Sequence, residues 1–477
     1  MVGLVTMPFI VRGLGTERFG LLSLAWVILG YFAVFDLGLG RATTKFVAEA
    51  LGKGEADRVP GLVWTTVATQ ALLGAAGGLT LAAVTPLLVE RALNVPPYLV
   101  REASSAFYVL AVGVPVTLIS GSFVGVLGAA QRFDLVNAVK IPASCLTYLL
   151  PLLGLTLGLG LPAIVALTLV ARVAALIAFL VLNLRLIPGL KRWSAEFSLF
   201  RSLFSFGVWV TISSIVGPIL VYLDRFLIGS VLSISAVAYY SAPYEVVTRL
   251  LIIPGSLTTA LFPAFSALEA VRDRGRASLF FARSIKYILL ALGPVVLLIG
   301  LFARDGLQMW LGPDFASEST AALQILGVGV LINSLAQVPF ALLQGVGRPD
   351  LPAKFHLLEL PLYVGVAWLM ICRWGIAGAA GAWTLRVTLD AALLFGAALR
   401  GYQLPSSLLR ANGVPRTLYA IIALGTAAYA IKRLFMVHPL LLQALMVLGL
   451  FVCFVWFCWW RILDPSERGL FIKGART

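Results

Sequence analysis

Apolar runs alternate along the chain with short stretches carrying charge, glycine or proline. A hydrocarbon core about 30 Å thick needs roughly 20 apolar residues in helical conformation, so each long run predicts a membrane-spanning helix. The runs fall at 1–11, 19–39, 62–88, 104–128, 135–157, 161–184, 203–229, 236–263, 284–303, 320–344, 351–372, 376–399, 417–431 and 439–460. The first is too short to cross and reads as a partial helix, its opening turns missing from the chain as it starts here. The pattern predicts an all-α integral membrane protein of about fourteen helices, six plus six plus two. Its parts are residues 1–187, residues 202–400, a terminal helix pair at 416–461 and a tail at 462–477. The connections are short and leave no room for a soluble catalytic domain.

One stretch returns. Leu127–Leu135 (Leu-Gly-Ala-Ala-Gln-Arg-Phe-Asp-Leu) recurs 216 residues later as Leu343–Leu351 (Leu-Gln-Gly-Val-Gly-Arg-Pro-Asp-Leu). Arg132 and Asp134 map onto Arg348 and Asp350, each copy between two apolar runs. Internal similarity at a fixed offset marks a repeat architecture. In a membrane chain it points to a transporter built from two related halves. Both copies precede an odd-numbered helix, so the halves share one orientation and their symmetry axis runs along the membrane normal.

Composition sharpens this. The chain is 60% hydrophobic and 12% charged, with a mean hydropathy of +0.98, whereas soluble domains carry about 25% charged residues. The net charge of +15 admits a nucleic-acid partner, but its distribution follows membrane topology. With both termini in the cytoplasm, 24 of the 36 basic residues fall on cytoplasmic connections and 8 on outer ones, as the positive-inside rule requires. Cys145, Cys372, Cys453 and Cys458 lie in or beside apolar runs, and His356 and His438 are far apart. No metal-ligand or disulfide spacing is present.

Four arginines remain: Arg172, Arg225, Arg249 and Arg386 all fall inside the expected spans. An arginine at a helix centre costs about 2.5–3.5 kcal/mol on insertion scales. Such residues are expected to face a watery cavity or an acidic partner. Arg172 and Arg386 occupy nearly equivalent places in the sixth and twelfth helices. Asp36, Asp224, Glu245, Glu359 and Asp390 are the acids at similar depth. Asp390 follows Arg386 by four residues and Arg249 follows Glu245 by four, so each pair shares a helix face, and Asp224 adjoins Arg225. Two readings stand together. Either each acid neutralises its neighbour, or arginines bind an anionic cargo while Asp36, Asp224, Glu245 or Asp390 carries a coupling ion. Arg41, Lys45, Glu49 and Lys53 line up every fourth residue on a helix after Asp36. That face is either a solvated side of an interfacial helix or a cationic entrance for phosphate groups. Lys140, Lys286 and Lys354 lie near helix ends and are expected to snorkel.

Several stretches are familiar. Met7–Leu21 (Met-Pro-Phe-Ile-Val-Arg-Gly-Leu-Gly-Thr-Glu-Arg-Phe-Gly-Leu) resembles the opening of polysaccharide-biosynthesis flippases, the Wzx-like branch of the MOP (multidrug/oligosaccharidyl-lipid/polysaccharide) exporters. So do Asp36–Gly40 (Asp-Leu-Gly-Leu-Gly), Tyr222–Gly229 (Tyr-Leu-Asp-Arg-Phe-Leu-Ile-Gly), Trp310–Phe315 (Trp-Leu-Gly-Pro-Asp-Phe) and both Arg-x-Asp stretches. The resemblance implies a MATE-like fold in which two six-helix lobes form a V around a cavity open alternately to each side. It implies a cargo of undecaprenyl- or other isoprenoid-diphosphate-linked oligosaccharide, moved across the cytoplasmic membrane. It also implies coupling to a proton or sodium gradient rather than a cofactor, and work beside the glycosyltransferases and polymerase of the same pathway. Arg12, Arg41, Lys45, Arg172, Arg225, Arg249 and Arg386 would then line the cationic entrance and lumen.

Three alternatives stay open. A MATE-type drug or cation antiporter shares the fold but calls for an acidic or aromatic cavity. A lipid II flippase of the same superfamily is not separated by charge. A membrane glycosyltransferase or polymerase would need a loop to hold a donor sugar.

Overall fold

The computed structural model describes residues 2–34, 39–194, 219–348, 350–402, 407–434 and 440–474, which are helical throughout apart from short turns. The helices are α1 (Val2–Val34), α2 (Leu39–Gly52), α3 (Val59–Leu87), α4 (Val100–Ala129), α5 (Phe133–Thr156) and α6 (Leu161–Leu186). Next come α7 (219–231), α8 (Ile234–Thr248), α9 (Ile252–Ala270), α10 (Arg274–Trp310), α11 (Pro313–Gly345) and α12 (Asp350–Gly401). Then follow α13 (Leu408–Ala411), α14 (Val414–Leu434), α15 (Leu440–Phe457) and α16 (Pro465–Gly474). Among the described residues nine helices are long and apolar enough to cross a membrane. Fourteen expected runs give fewer such spans because 1–11 and 19–39 share α1 and 351–372 and 376–399 share α12, each pair across a reversal. In addition, 236–263 is divided between α8 and α9, and residues 203–218 of the seventh run lie outside the described residues.

Glycine makes both reversals. Gly15 has φ 76° inside α1 and Gly375 has φ 57° inside α12, the left-handed region that only glycine enters at little steric cost. Beyond Gly15 the chain returns: a Cβ on Gly3 would lie 3.1 Å from the Tyr148 ring, and Trp26 packs edge-on against the same ring at 5.3 Å. The short first run is therefore one arm of a helical hairpin. The run expected at 236–263 tightens to a 3-10 turn at Arg249–Leu251, with helical backbone on either side. Pro254 follows immediately and has no N–H to carry the helix across that point.

The chain forms two compact units, residues 1–242 with 360–379 and residues 243–359 with 380–477. In the first, α2 does not lie on the bilayer surface by its apolar side. Val47 and Ala50 are buried in a core with Val59, Val63, Phe123, Val126 and Phe179. Thr44 Oγ1 donates to the Gly125 carbonyl at 3.1 Å, and a Cβ on Gly125 would come within 2.7 Å of the Gly40 oxygen. Gly74 and Gly78 let α3 meet α4 backbone to backbone, since a Cβ at either would fall within 2.5 Å of Pro115 or Ala111. Small residues four apart give this close approach where lipid supplies no hydrophobic drive. In the second unit, Phe265, Phe281, Ile285, Leu292, Val338 and Leu342 make the core, with Ile421, Phe454 and Ile462 of the terminal helices joined to it.

The repeat is visible as matched geometry. Arg132 grips Asp134 with two bonds of 2.9 and 2.8 Å at the start of α5, and Arg348 grips Asp350 at 3.0 and 3.5 Å at the start of α12. Gly113 of α4 faces Leu169 of α6, and Gly329 of α11 faces Trp383 of α12. The glycines keep the offset of 216, and an offset of 214 carries both Leu169 to Trp383 and Arg172 to Arg386. The two membrane arginines are thus structural counterparts.

Candidate functional site

α6 is pinned at both ends, which sets the depth of the arginine it carries. At its start, the Leu161 N–H donates to Glu102 Oε1 at 3.0 Å, and Arg18 Nε binds the same carboxylate at 2.9 Å. Near its end, Asn183 Nδ2 reaches the Phe123 carbonyl on α4 at 3.2 Å. Leu161, Val165, Thr168, Phe179 and Asn183 form the buried stripe of the helix, and Arg172 falls on that stripe by helical spacing. It stands eleven residues beyond Leu161, about 17 Å along the axis, at mid-span. Among the described residues Arg172 has no ion pair and no hydrogen bond. An uncompensated guanidinium at that depth, on the packed side of its helix, is the arrangement expected of a functional group rather than a structural one.

Its counterpart is neutralised. Arg386 Nη1 lies 3.4 Å from Glu359 Oε2 across the hairpin of α12, with Glu359 fully buried. One step along the hairpin, His356 Nε2 lies 3.9 Å from Asp390 Oδ1. Both pairs are centred near residue 373, so they are rungs of one antiparallel helix pair. The Glu359 carboxyl interacts with Asp390 as well as Arg386. Two carboxyls therefore share one guanidinium, and with both ionised and His356 neutral the cluster would carry one negative charge in excess. Arg386 and Asp390 share a face of α12 as their spacing requires, and each also meets a residue across the hairpin, Glu359 and His356. An offset of 216 puts Lys140 and Ala143 where the second half has His356 and Glu359, and the offset of 214 that relates the two arginines puts Leu176 where it has Asp390. The first half keeps the arginine and lacks both acids.

The other charges have local partners. Arg225 is 1% exposed and Asp224 fully buried, joined at 3.3 Å. The Tyr240 hydroxyl donates to Asp224 at 2.6 Å and Arg225 Nη1 to the Val221 carbonyl at 3.0 Å. Arg249 sits in the tightened helical turn between α8 and α9 with its side chain 57% exposed, bonded to Glu245 at 2.9 Å. Lys286 does not snorkel: it is buried, with its ammonium 2.6 Å from Glu467. Arg12 is exposed on the first arm of α1. Arg41 and Lys45 are carried by α2, their side chains outside the described residues, and Asp36 lies wholly outside them; farther along α2, Glu49 pairs with Lys53 at 2.7 Å.

The family described as polysaccharide biosynthesis protein matches residues 1–269. The chain belongs to that family. A putative O-antigen transporter of Shigella flexneri is 30% identical over 397 residues, covering 83% of this chain and 93% of the relative. Among solved structures, a multidrug resistance MATE family transporter of the MOP superfamily in its inward-facing conformation superposes with a TM-score of 0.75 at 16% identity, covering 84% of this chain and 95% of that one. The lipid II flippase MurJ in its inward closed conformation gives 0.66 at 10% identity, covering 96% and 99%. These likenesses show a MATE-like all-helical fold for this member of the polysaccharide biosynthesis family.

The arginine contrast was half legible beforehand. The residues were identifiable by depth, but the partner of Arg386 required the hairpin register. His356 and Glu359 would have emerged by pairing residues equidistant from a reversal near residue 373.

Proposed function

We propose that the protein is a flippase carrying isoprenoid-diphosphate-linked oligosaccharide across the cytoplasmic membrane by alternating access. Membership of the polysaccharide biosynthesis family supports this, as does the relative named an O-antigen transporter. The observation that carries the mechanism is Arg172, a mid-span arginine without an acidic partner among the described residues. A planar guanidinium pairs in two-pronged fashion with phosphate oxygens, and a site of low dielectric strengthens that attraction. The diphosphate would be held there while the polyprenyl chain stays in lipid. Arg12, Arg41 and Lys45 are entrance candidates on the same reading. Both termini lie in the cytoplasm, in keeping with the 24 to 8 split of basic residues. The cargo arrives from membrane glycosyltransferases and leaves to a polymerase.

Coupling belongs on this reading to the cluster of His356, Glu359, Arg386 and Asp390. A single bound proton removes its excess negative charge, and a sodium ion is the alternative cation for the same carboxylates. Asp224 and Glu245, each tied to an adjacent arginine, are weaker carriers.

The test is complementation of a bacterium lacking its own flippase for a matched repeat unit. Arg172→Ala abolishes surface polysaccharide and accumulates lipid-linked repeat units, with the protein still inserted. Full polymer export by that variant would overturn the reading. The antiporter alternative predicts instead that expression confers resistance to cationic dyes.

A further inference from the structure

We infer that the terminal hairpin of α14 and α15 holds an anionic glycerophospholipid of the bilayer, its phosphate clamped by Arg416 and Arg461. The two helices enclose a groove of about 790 Å³ whose walls are almost wholly apolar, among them Leu424, Leu450, Cys453 and Phe454. Arg416 lies three residues into α14, and Arg461 lies in the widened turn Cys458–Ile462 that ends α15. The helices run in opposite directions, so both guanidiniums stand at one end, and both line the groove.

Neither has a hydrogen bond or ion pair among the described residues. The surrounding structure explains why they stay free. The carbonyls left open at the end of α15 are taken by Arg468, which donates to Trp460 O at 2.8 Å and Leu463 O at 3.0 Å. The nearby acid Glu467 is buried and committed elsewhere, to Lys286 at 2.6 Å, Arg283 at 3.3 Å and the Tyr287 hydroxyl at 3.1 Å. Asp464 is exposed and forms no ion pair with either arginine among the described residues. Two unneutralised guanidiniums over an apolar groove are complementary to one kind of molecule, a phosphate head on hydrocarbon chains. The positive-inside count assigns this end to the cytoplasmic leaflet, whose lipids carry negative charge, and basic pockets between helices at that leaflet bind anionic head groups. The hairpin lies outside the twofold repeat, so this lipid is distinct from the cargo and the inference does not rest on the identity of that cargo.

The test uses the full-length protein, delipidated in mild detergent and titrated in native mass spectrometry. Phosphatidylglycerol is compared with phosphatidylcholine of the same acyl chains. One equivalent of phosphatidylglycerol is expected to bind preferentially. The double substitution Arg416→Ala/Arg461→Ala weakens it about thirtyfold. Arg410→Ala, at the same end but outside the groove, has no effect. A second measurement needs no arginine substitution. In a protein whose only cysteine is Cys453, phosphatidylglycerol slows maleimide labelling and phosphatidylcholine does not. Equal binding of the two lipids, unchanged affinity in the double variant, or an unaltered Cys453 labelling rate overturns the site. So does protection of Cys453 by undecaprenyl phosphate alone, which would make the groove a cargo-tail site.

Discussion

Arg172 and Arg386 occupy matching places in the two halves, each three residues past a side chain that meets a glycine, Leu169 against Gly113 of α4 and Trp383 against Gly329 of α11. In the second half the guanidinium faces Glu359 at 3.4 Å with Asp390 close by. In the first, the corresponding positions are Ala143 and Leu176. A duplicated scaffold has thus been given two electrostatic characters by two side-chain differences. A buried arginine beside a carboxylate is close to electrically satisfied, and breaking the pair leaves an uncompensated charge. A buried arginine without one keeps its capacity to attract an anion. The division of labour we propose, anion binding in one half and ion coupling in the other, rests on that difference.

The comparison is tested most severely by removing each arginine in turn. Arg386→Ala strands Glu359, and a thermal melt in detergent should show a loss of about 3–5 kcal/mol; adding Glu359→Gln should restore most of it. Arg172→Ala strands nothing, so the melt should be unchanged or improved. Transport in proteoliposomes or by complementation should then fall about a hundredfold, a transition-state loss of about 2.7 kcal/mol. Equal destabilisation by both substitutions would erase the contrast.

A subtler break copies the second half into the first. Ala143→Glu places a carboxylate opposite Arg172, and transport should fall at least about tenfold while membrane insertion is retained. Normal transport in that variant would mean Arg172 is not the anion site. In the second half, Asp390→Asn removes the excess negative charge. Transport should become insensitive to an imposed proton gradient, read as the ratio of initial rates with and without it.

The smallest effect concerns a fully satisfied charge cluster. Burial works against the charged form of Glu467, but the Lys286 ammonium, the Asp464 N–H and the Tyr287 hydroxyl outweigh it and hold its pKa below the ordinary carboxylate value. A depressed folded pKa stabilises above the unfolded value and is lost as pH falls through the folded one. Melting temperature should therefore drop by a few degrees on acidification, on the order expected for about 1 kcal/mol. Glu467→Gln should flatten that dependence.

Much of the architecture was readable because a bilayer imposes a length on every apolar run. The limits of α3, α5 and α6 fall within three residues of the expected runs. The Arg-x-Asp repeat was readable because both copies serve one local purpose, a two-pronged clasp at a helix start. The tightened turn before Pro254 is not legible in hydropathy, which is blind to a missing N–H. The burial of Lys286 was missed because its partner Glu467 is 181 residues away.

Sequence by itself determined that the chain is a membrane protein of two related halves with arginines where lipid would otherwise reject them. The reason is that insertion cost depends on local composition alone. Which arginine is free and which is paired was decided only in three dimensions. Charge compensation acts over a few ångströms, and the hairpin at Gly375 brings Glu359 to Arg386 across 27 residues of chain while Arg172 meets no acid among the described residues.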